Sequence, residues 1–270
     1  SGCVRIQVGM AKTHLAVLGS PIEHSKSPLI HAAAYRHLGL DWDYGRYRVE
    51  ADELESFLKL RDASWRGLSL TMPLKEQGHR LSIPSCPVAS ETGIVNTLVH
   101  TESGWEGYNT DSFGIQQALK NALTEVPSEI SILGSGATAI SALHAVGYIY
   151  PDANVRVFAR RSTSVLGYAT EPLDGFYGNT VEGLVISTLP GTVVHPSLDV
   201  VEGSSIFDVA YNPWPSKLAA QWPAENRISG LEMLLWQALV QIRLFLYGDG
   251  TVKLPEEPEV FSAMREAVKL

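Results

Sequence analysis

The feature that most constrains the fold is a glycine-rich turn at residues 134–139, which reads Gly-Ser-Gly-Ala-Thr-Ala. The apolar, strand-like run 130–133 precedes it, and a helical stretch of small residues follows it. In this order the first glycine permits a tight turn, the second lets the backbone approach a pyrophosphate, and the helix start offers free N–H groups. The pattern predicts a dinucleotide-binding unit, with a glycine turn that binds nothing as the alternative. The candidate cofactor-binding residues of the turn are Gly134, Ser135, Gly136, Ala137 and Thr138.

Strands alternate with helical segments on both sides of this turn. The strands expected before it are 15–19, 43–49, 68–71 and the hairpin pair 95–100 and 104–108. Those expected after it are 130–133, 155–158, 184–188 and 205–209. The first series predicts an α/β unit, and the second predicts a Rossmann-like, doubly wound parallel sheet.

We therefore expect two domains, since 270 residues suffice for two modest cores. Residues 1–110 together with the C-terminal helices 231–270 are expected to form an α/β substrate-binding and catalytic domain. Residues 111–230 are expected to form the Rossmann-like cofactor domain. The segment 230–247 is apolar all round, which predicts a buried helix between the two.

Composition excludes several classes of protein. The net charge of −8 disfavours binding to a phosphate backbone, so we expect no nucleic-acid partner. The two cysteines, Cys3 and Cys86, suggest no disulfide framework, and no Cys/His spacing resembles a zinc site, so we expect no metal. The chain shows no signal peptide and no run of 18 apolar residues, which predicts a cytoplasmic protein without a membrane segment.

The turn after the strand 155–158 distinguishes between two cofactors. An NAD site would place Asp or Glu there, to hold the ribose 2′-hydroxyl. This chain instead has Ala159, Arg160, Arg161 and Ser162. Two guanidinium groups suit a 2′-phosphate through charge-assisted contacts, so the turn predicts NADP, with a solvated basic turn as the alternative.

Two serines in the loop 19–28 are candidates for binding an anion. Ser25 and Ser27 lie two residues apart between prolines and can present two hydroxyls to one carboxylate. Because Pro28 follows it, Ser27 equally suits the N-cap of the next helix.

A lysine and an aspartate are candidates for the chemistry itself. Lys75 follows the stiff segment Met72-Pro73 and can place a cation or a proton donor beside a carbonyl oxygen that gains charge during hydride addition. A solvated surface lysine is the alternative. Asp111 can orient that lysine and accept a hydroxyl hydrogen bond, or it can cap the helix that follows it.

Seven blocks of this chain resemble, in the same order, those of the shikimate dehydrogenase family. They lie at 19–28, 70–75, 95–97, 107–111, 134–139, 208–213 and 230–237. Ordered co-occurrence of this kind is hard to obtain by chance. The chain departs from the family where Ser69 and Ser187 replace a frequent asparagine, where Ala137 replaces a glycine, and in the arginine turn. Several of these departures are similar to variants in actinobacterial members.

The resemblance implies an enzyme that reduces 3-dehydroshikimate to shikimate with NADPH, in the chorismate route to aromatic amino acids. It implies that Lys75 and Asp111 are catalytic. The residues it implies around the substrate are Ser25 and Ser27 on the carboxylate, Thr71, Asn96, Asp111 and Gln237 on the ring hydroxyls, and Tyr211. It adds Val209 and Gly230 on the cofactor side, with Gly230 near the nicotinamide.

Two other functions compete with this one. A quinate or quinate/shikimate dehydrogenase using NAD would share most of the blocks, but the arginine turn argues against it. A sensor that binds NADP or a metabolite without catalysis would have no need of both Lys75 and Asp111. We expect a monomer or a homodimer with small-molecule partners.

Overall fold

The computed structural model describes residues 12–269, so Cys3 lies outside the described residues. The chain forms two sheets, each built from its own stretch of sequence. The elements of the first stretch are β1 (Thr13–Gly19), α1 (Ser27–His37), β2 (Trp42–Arg48), α2 (Leu54–Lys59), β3 (Trp65–Leu70), α3 (Lys75–Leu81), β4 (Ile83–Pro84), α4 (Pro87–Thr92), β5 (Thr97–Thr101) and β6 (Gly104–Tyr108). Those of the second are α5 (Asp111–Ala122), β7 (Glu129–Leu133), α6 (Ala137–Ile149), β8 (Asn154–Ala159), β9 (Ser164–Val165), β10 (Tyr168–Pro172), α7 (Leu173–Tyr177), β11 (Leu184–Ser187), β12 (Ser205–Asp208) and β13 (Arg227–Ser229). Two C-terminal helices follow, α8 (Gly230–Tyr247) and α9 (Glu257–Ala267).

The first sheet is mixed and has the strand order β2-β1-β3-β5-β6-β4. β1 runs parallel to both β2 and β3, so the carboxyl ends of these strands meet at one edge of the sheet. Beyond that edge the backbone N–H of Thr71 donates to the carbonyl of Leu18 at 2.9 Å, and the N–H of Ser20 donates to the carbonyl of Met72 at 2.9 Å. The topology thereby places the serine loop beside the segment that leads to Lys75. β5 and β6 form the predicted antiparallel hairpin.

The second sheet has the order β13-β12-β11-β7-β8-β10-β9, and its pairs are parallel except for β9 with β10. From β7 the chain continues to β8 on one side and later returns to β11 on the other. The carboxyl end of β7 is therefore the switch point where such sheets bind ligands, and the glycine turn begins there.

The helices α5 and α8 pack against each other, and each also contributes to a different core. Ile115 and Leu119 of α5 share a buried cluster with the β7 residues Ile130 and Ile132. From Leu235 onwards α8 packs into the core of the first sheet, whereas its first turn contributes Met233 to the core of the second. The predicted boundaries at residues 110 and 230 stay a prediction, and this packing agrees with them.

The last long helix has the predicted bounds. The Ser229 hydroxyl caps α8 by accepting from the Leu231 N–H at 3.2 Å, and Gly248 ends the helix at φ 71°. Several short elements, including α3 and α4, were not expected, because six or seven residues carry little periodic signal. None of the helices formed by residues 12–269 has the length and apolar character needed to span a bilayer.

Candidate functional site

A cavity of about 510 Å³ opens between the two sheets. Its walls come from the loops after β1, β3 and β12, from the starts of α3 and α5, and from α8. Every predicted catalytic and substrate-binding residue lines it, namely Ser25, Ser27, Thr71, Lys75, Asn96, Asp111, Tyr211 and Gln237. The structure therefore brings together residues that lie up to 212 positions apart in the sequence, from Ser25 to Gln237.

A buried ion pair occupies the floor of this cavity. The Nζ of Lys75 lies 2.6 Å from Oδ2 of Asp111, and the two side chains are only 11% and 5% exposed. Because little of either side chain is exposed to solvent, this charge-assisted bond holds the two groups more firmly than an exposed ion pair would. The alternative of a solvated lysine is therefore wrong, because the ammonium group faces the cavity and its counter-ion.

Asp111 does not cap its helix. The N-cap residue of α5 is Thr110, and it makes no side-chain capping bond. The oxygen of the Asn109 side chain instead accepts from the N–H groups of Asp111 and Ser112, at 3.0 and 3.4 Å. This bonding satisfies two N–H groups of the first turn and leaves the Asp111 carboxylate free to face the cavity.

Two amides complete the surroundings of the carboxylate. The Thr110 N–H donates to Oδ1 of Asn96 at 2.8 Å, which fixes the orientation of that amide. The Nδ2 of Asn96 then donates to Oδ1 of Asp111 at 3.0 Å and to Oε1 of Gln237 at 3.2 Å. Both carboxylate oxygens are therefore satisfied, one by Lys75 and one by Asn96.

A glycine in α5 permits the close approach of Gln237. A Cβ added at Gly114 would lie 2.7 Å from the carbonyl oxygen of Met233 and 3.1 Å from Cβ of Gln237. A side chain at this position would therefore push α8 away from α5 and move Gln237 away from Asn96.

The serine loop reaches the cavity from the edge of the first sheet. The Ser27 N–H donates to Oγ of Ser25 at 3.3 Å. The N-cap of α1 is Lys26, without a side-chain capping bond, so the capping alternative for Ser27 is wrong. Tyr211 faces this loop from the second sheet. Burial raises the pKa of Tyr211, and a hydrogen bond from the Lys26 backbone to its hydroxyl offsets part of that rise.

A second cavity, of about 470 Å³, runs along the glycine turn. Gly134 has φ 116°, which favours glycine, and Gly134 to Thr138 all line this cavity. Its wall also includes Thr71, Met72 and Lys75, which line the first cavity too. The two cavities therefore meet at Lys75.

The predicted arginine turn lies outside both cavities. Ala159 ends β8 as a buried residue, and Arg160, Arg161 and Ser162 follow it exposed to solvent. Val209 and Gly230, by contrast, line the first cavity.

Among the described residues no group of three His, Cys, Asp or Glu side chains is arranged as a metal site would require.

Asp208 anchors the loop that carries Tyr211. Its two oxygens accept from the N–H of Ala210 at 3.0 Å and from the Ser216 hydroxyl at 2.5 Å. Burial raises the pKa of Asp208 to about 6, and these two hydrogen bonds limit the rise.

Comparison with known proteins identifies the family. A family model of the shikimate dehydrogenase substrate binding domain matches residues 17–98. A shikimate dehydrogenase (NADP(+)) from Methanosarcina barkeri is 31% identical over 270 residues, covering 90% of this chain and 96% of that protein. The chain belongs to the shikimate dehydrogenase family.

Solved structures of the family confirm the predicted α/β fold class. A shikimate dehydrogenase from Mycobacterium tuberculosis is 32% identical, with a TM-score of 0.74 over 95% of this chain and 98% of that one. A shikimate 5-dehydrogenase from Thermus thermophilus, solved in complex with NADP(H) and shikimate, is 27% identical, with a TM-score of 0.79 over 94% and 99%.

Some residues at the shikimate dehydrogenase site were not predicted. Ser69 and Gln241 line the first cavity, and Asn109 holds the start of α5. Gln241 lies one helical turn from Gln237, so two glutamines on one face of an apolar helix were a usable signal. In the sequence, Ser69 stands out only as a departure from the family.

Proposed function

We propose that this protein catalyses the reversible, NADPH-dependent reduction of 3-dehydroshikimate to shikimate. The observation that carries this proposal is the buried pair of Lys75 and Asp111 at the junction of two cavities. One cavity offers hydroxyls and amides suited to a polyhydroxylated acid, and the other is lined by the glycine turn. Membership of the family supports the same reaction.

The glycine turn fits the pyrophosphate of a dinucleotide. Apart from its two chain neighbours, no residue among 12–269 has an atom within 4 Å of the position that a Cβ on Gly136 would take, so this part of the backbone is open to a ligand. The 13-residue helix α6 begins directly after it and presents unpaired N–H groups. When bound, NADP(H) supplies or accepts the hydride. The residues that would hold it are Gly134, Ser135, Gly136, Ala137, Thr138, Ala159, Arg160, Arg161, Ser162, Val209 and Gly230.

The substrate would be oriented by the polar residues of the first cavity. Ser25 and Ser27 would donate to its carboxylate, with Tyr211 closing that side. Thr71, Asn96, Asp111 and Gln237 would bind the ring hydroxyls. Several directed hydrogen bonds on a rigid ring fix the reacting carbon, which lowers the entropic part of the barrier.

Lys75 would stabilise the charge on the substrate oxygen. As hydride reaches the carbonyl carbon, negative charge grows on the oxygen, and an ammonium group already desolvated there stabilises it without reorganisation. Asp111 keeps that ammonium in place and accepts a hydrogen bond from the neighbouring hydroxyl. The ammonium–carboxylate pair would then give up one proton to the carbonyl oxygen to complete the new hydroxyl, and in the reverse direction the deprotonated pair would take this proton back.

We also propose the division into a substrate domain (1–110 with 231–270) and a cofactor domain (111–230). The cores described above support it, because α5 packs with β7 and most of α8 packs with the first sheet. A cytoplasmic location and a monomeric or homodimeric state complete the proposal.

A comparison of four rates tests the function. Initial rates would be measured for shikimate and quinate, each with NADP⁺ and with NAD⁺, by following absorbance of the reduced nicotinamide. We expect shikimate with NADP⁺ to have the highest kcat/KM. A preference for quinate with NAD⁺ would support an NAD-dependent quinate/shikimate dehydrogenase instead. Ligand-induced thermal shifts without turnover would support a sensor.

A further inference from the structure

A chain of buried hydrogen bonds lies behind the wall of the first cavity and ends at the carboxylate of Asp111. Its last three links run from Nε2 of Gln241 to Oγ1 of Thr97 at 2.9 Å, from Oγ1 of Thr97 to Oδ1 of Asn96 at 2.9 Å, and from Nδ2 of Asn96 to Oδ1 of Asp111 at 3.0 Å. Each of these four residues is at most 3% exposed. Polar groups buried so deeply depend on one another for hydrogen bonds.

Two backbone groups fix the direction of these links. Nε2 of Gln241 also donates to the backbone carbonyl of Asn96 at 3.2 Å, and a carbonyl can only accept. The backbone N–H of Thr110 donates to Oδ1 of Asn96 at 2.8 Å, and an N–H can only donate. The nitrogen of one amide and the oxygen of the other therefore face the Thr97 hydroxyl. That hydroxyl accepts from Gln241 and donates to Asn96.

The other end of the Gln241 amide receives two hydrogen bonds. Oγ of Ser69 lies 2.9 Å and Nε2 of His31 lies 3.2 Å from its Oε1, and both groups donate because an amide oxygen can only accept. The Tyr44 hydroxyl in turn donates to Oγ of Ser69 at 2.7 Å. Every link of the chain therefore donates in one direction, from the interior of the first sheet toward the carboxylate.

We propose that Thr97 is a positioning residue, which links Gln241 to the Asn96 amide and thereby strengthens the hydrogen bonds that this amide donates in the first cavity. The inference rests on the proposed function, in which Asn96 binds a ring hydroxyl beside Asp111. A group that accepts a hydrogen bond becomes a better donor, so bonds aligned in one direction reinforce one another. Thr97 is the one link between the two amides that a conservative substitution can remove.

Thr97→Val and Thr97→Ser in the full chain separate the hydroxyl from the shape of the side chain. Valine keeps the branched shape without the hydroxyl, and serine keeps the hydroxyl without the methyl group. In both variants the Thr110 N–H still holds Oδ1 of Asn96, so the amide keeps its orientation.

We expect Thr97→Val to raise KM for shikimate about threefold, which corresponds to a weak hydrogen bond, and to leave kcat within about twofold. The effect falls on KM because the ring hydroxyl is bound alike in the ground state and in the transition state. Thr97→Ser should match the wild type. An unchanged KM in Thr97→Val, or an equal rise in Thr97→Ser, would overturn the proposal.

Thr101→Val is the matched control on the same strand. The Thr101 hydroxyl donates to the carbonyl of Gly104 at 3.0 Å, so the variant loses the same chemical group from the far end of β5. We expect its KM for shikimate to equal that of the wild type, and a rise as large as in Thr97→Val would count against the proposal. Circular dichroism and the melting temperature establish that each variant is folded. If Thr97→Val does not fold, Thr97→Ala is compared with Thr97→Ser, because these two differ only in the hydroxyl, and the same threefold difference is expected.

A double substitution asks whether Thr97 acts through Asn96. Calorimetry gives Kd for shikimate in Asn96→Ala and in the same variant carrying Thr97→Val. We expect equal values, because the amide that Thr97 strengthens is gone, and a further threefold weakening would indicate a separate effect and overturn the proposal.

Oxidation of shikimate by the wild type is measured before any variant. Absence of turnover there would overturn the proposed function and this inference with it. An active wild type whose KM is insensitive to Thr97→Val would overturn this inference alone.

Discussion

The side chains of Lys75 and Asp111 meet at 2.6 Å although the helices that they begin belong to different parts of the molecule. α3 follows the central strand β3 of the first sheet, whereas α5 packs into the core of the second. The pair forms where these parts meet, beneath the junction of the two cavities. The reacting groups of the proposed mechanism therefore depend on both sheets.

Replacement of Lys75 tests the proposed mechanism most directly. We expect Lys75→Ala to lower kcat by about 10²–10⁴-fold, the range typical for loss of a positioned acid or base, and to leave the protein folded and able to bind NADPH. Lys59→Ala is the control, because Lys59 makes only an exposed ion pair with Glu55. Turnover close to that of the wild type in Lys75→Ala would contradict the mechanism.

Gly114→Ala tests the close packing of α5 on α8. The added methyl would meet the Met233 carbonyl at 2.7 Å, so we expect a loss of about 1–3 kcal/mol in the free energy of unfolding, together with a higher KM for shikimate. Gly147→Ala on α6 is the control, because outside its own stretch of helix no atom of the described residues lies within 4 Å of the added Cβ. There, alanine should stabilise the helix by about 0.5–1 kcal/mol. Urea unfolding measures both, and equal effects would argue against the packing constraint.

Asp208 predicts a pH dependence of stability. Its pKa is about 6 in the folded chain, against 3.8 as the ordinary value, so between these values the folded state binds the extra proton. Stability from this group is complete below about pH 3.8 and is lost as pH rises through 6. We expect the wild type to gain on the order of 2 kcal/mol relative to Asp208→Asn between about pH 7 and about pH 4. Other carboxylates cancel in that difference, and a pH-independent difference would refute the assignment.

The arginine turn predicts the choice of cofactor. We expect Arg160→Ala to raise KM for NADP⁺ about tenfold, because a charge-assisted contact to the 2′-phosphate is lost. NAD⁺ lacks this phosphate and serves as the internal control, so its KM should stay within about twofold. Equal changes for both cofactors would assign the turn a structural role instead.

Local patterns were sufficient to predict the fold class, whereas most of the candidate site followed from the resemblance to the family. The glycine turn, the apolar runs and the bounds of α8 each reflect a preference that acts within a few residues. Taken singly, Lys75 and Asp111 each had a structural alternative. The order of the seven blocks favoured a catalytic role for both. The structure then removed the alternatives of a solvated lysine and a helix cap.

The residues that escaped prediction depend on partners far away in the sequence. Gln241 contacts Asn96 across 145 positions and His31 across 210, and no periodic pattern links such pairs. Neither Tyr44 in β2 nor His31 in α1 belongs to any of the seven blocks. Only the three-dimensional packing shows that their polar atoms form one chain behind the cavity.

The separation of the arginine turn from both cavities has a consequence for the evolution of the sequence. If the arginine turn binds the 2′-phosphate as proposed, substitutions at Arg160 or Arg161 would change the nucleotide preference at a solvent-exposed corner and would leave Lys75 and Asp111 untouched. The ion pair allows no such freedom. Lys75 begins α3 beside the first sheet, and Asp111 begins α5, which packs with the second. A gene that combined the first sheet of one relative with the second sheet of another would therefore have to preserve both residues at once.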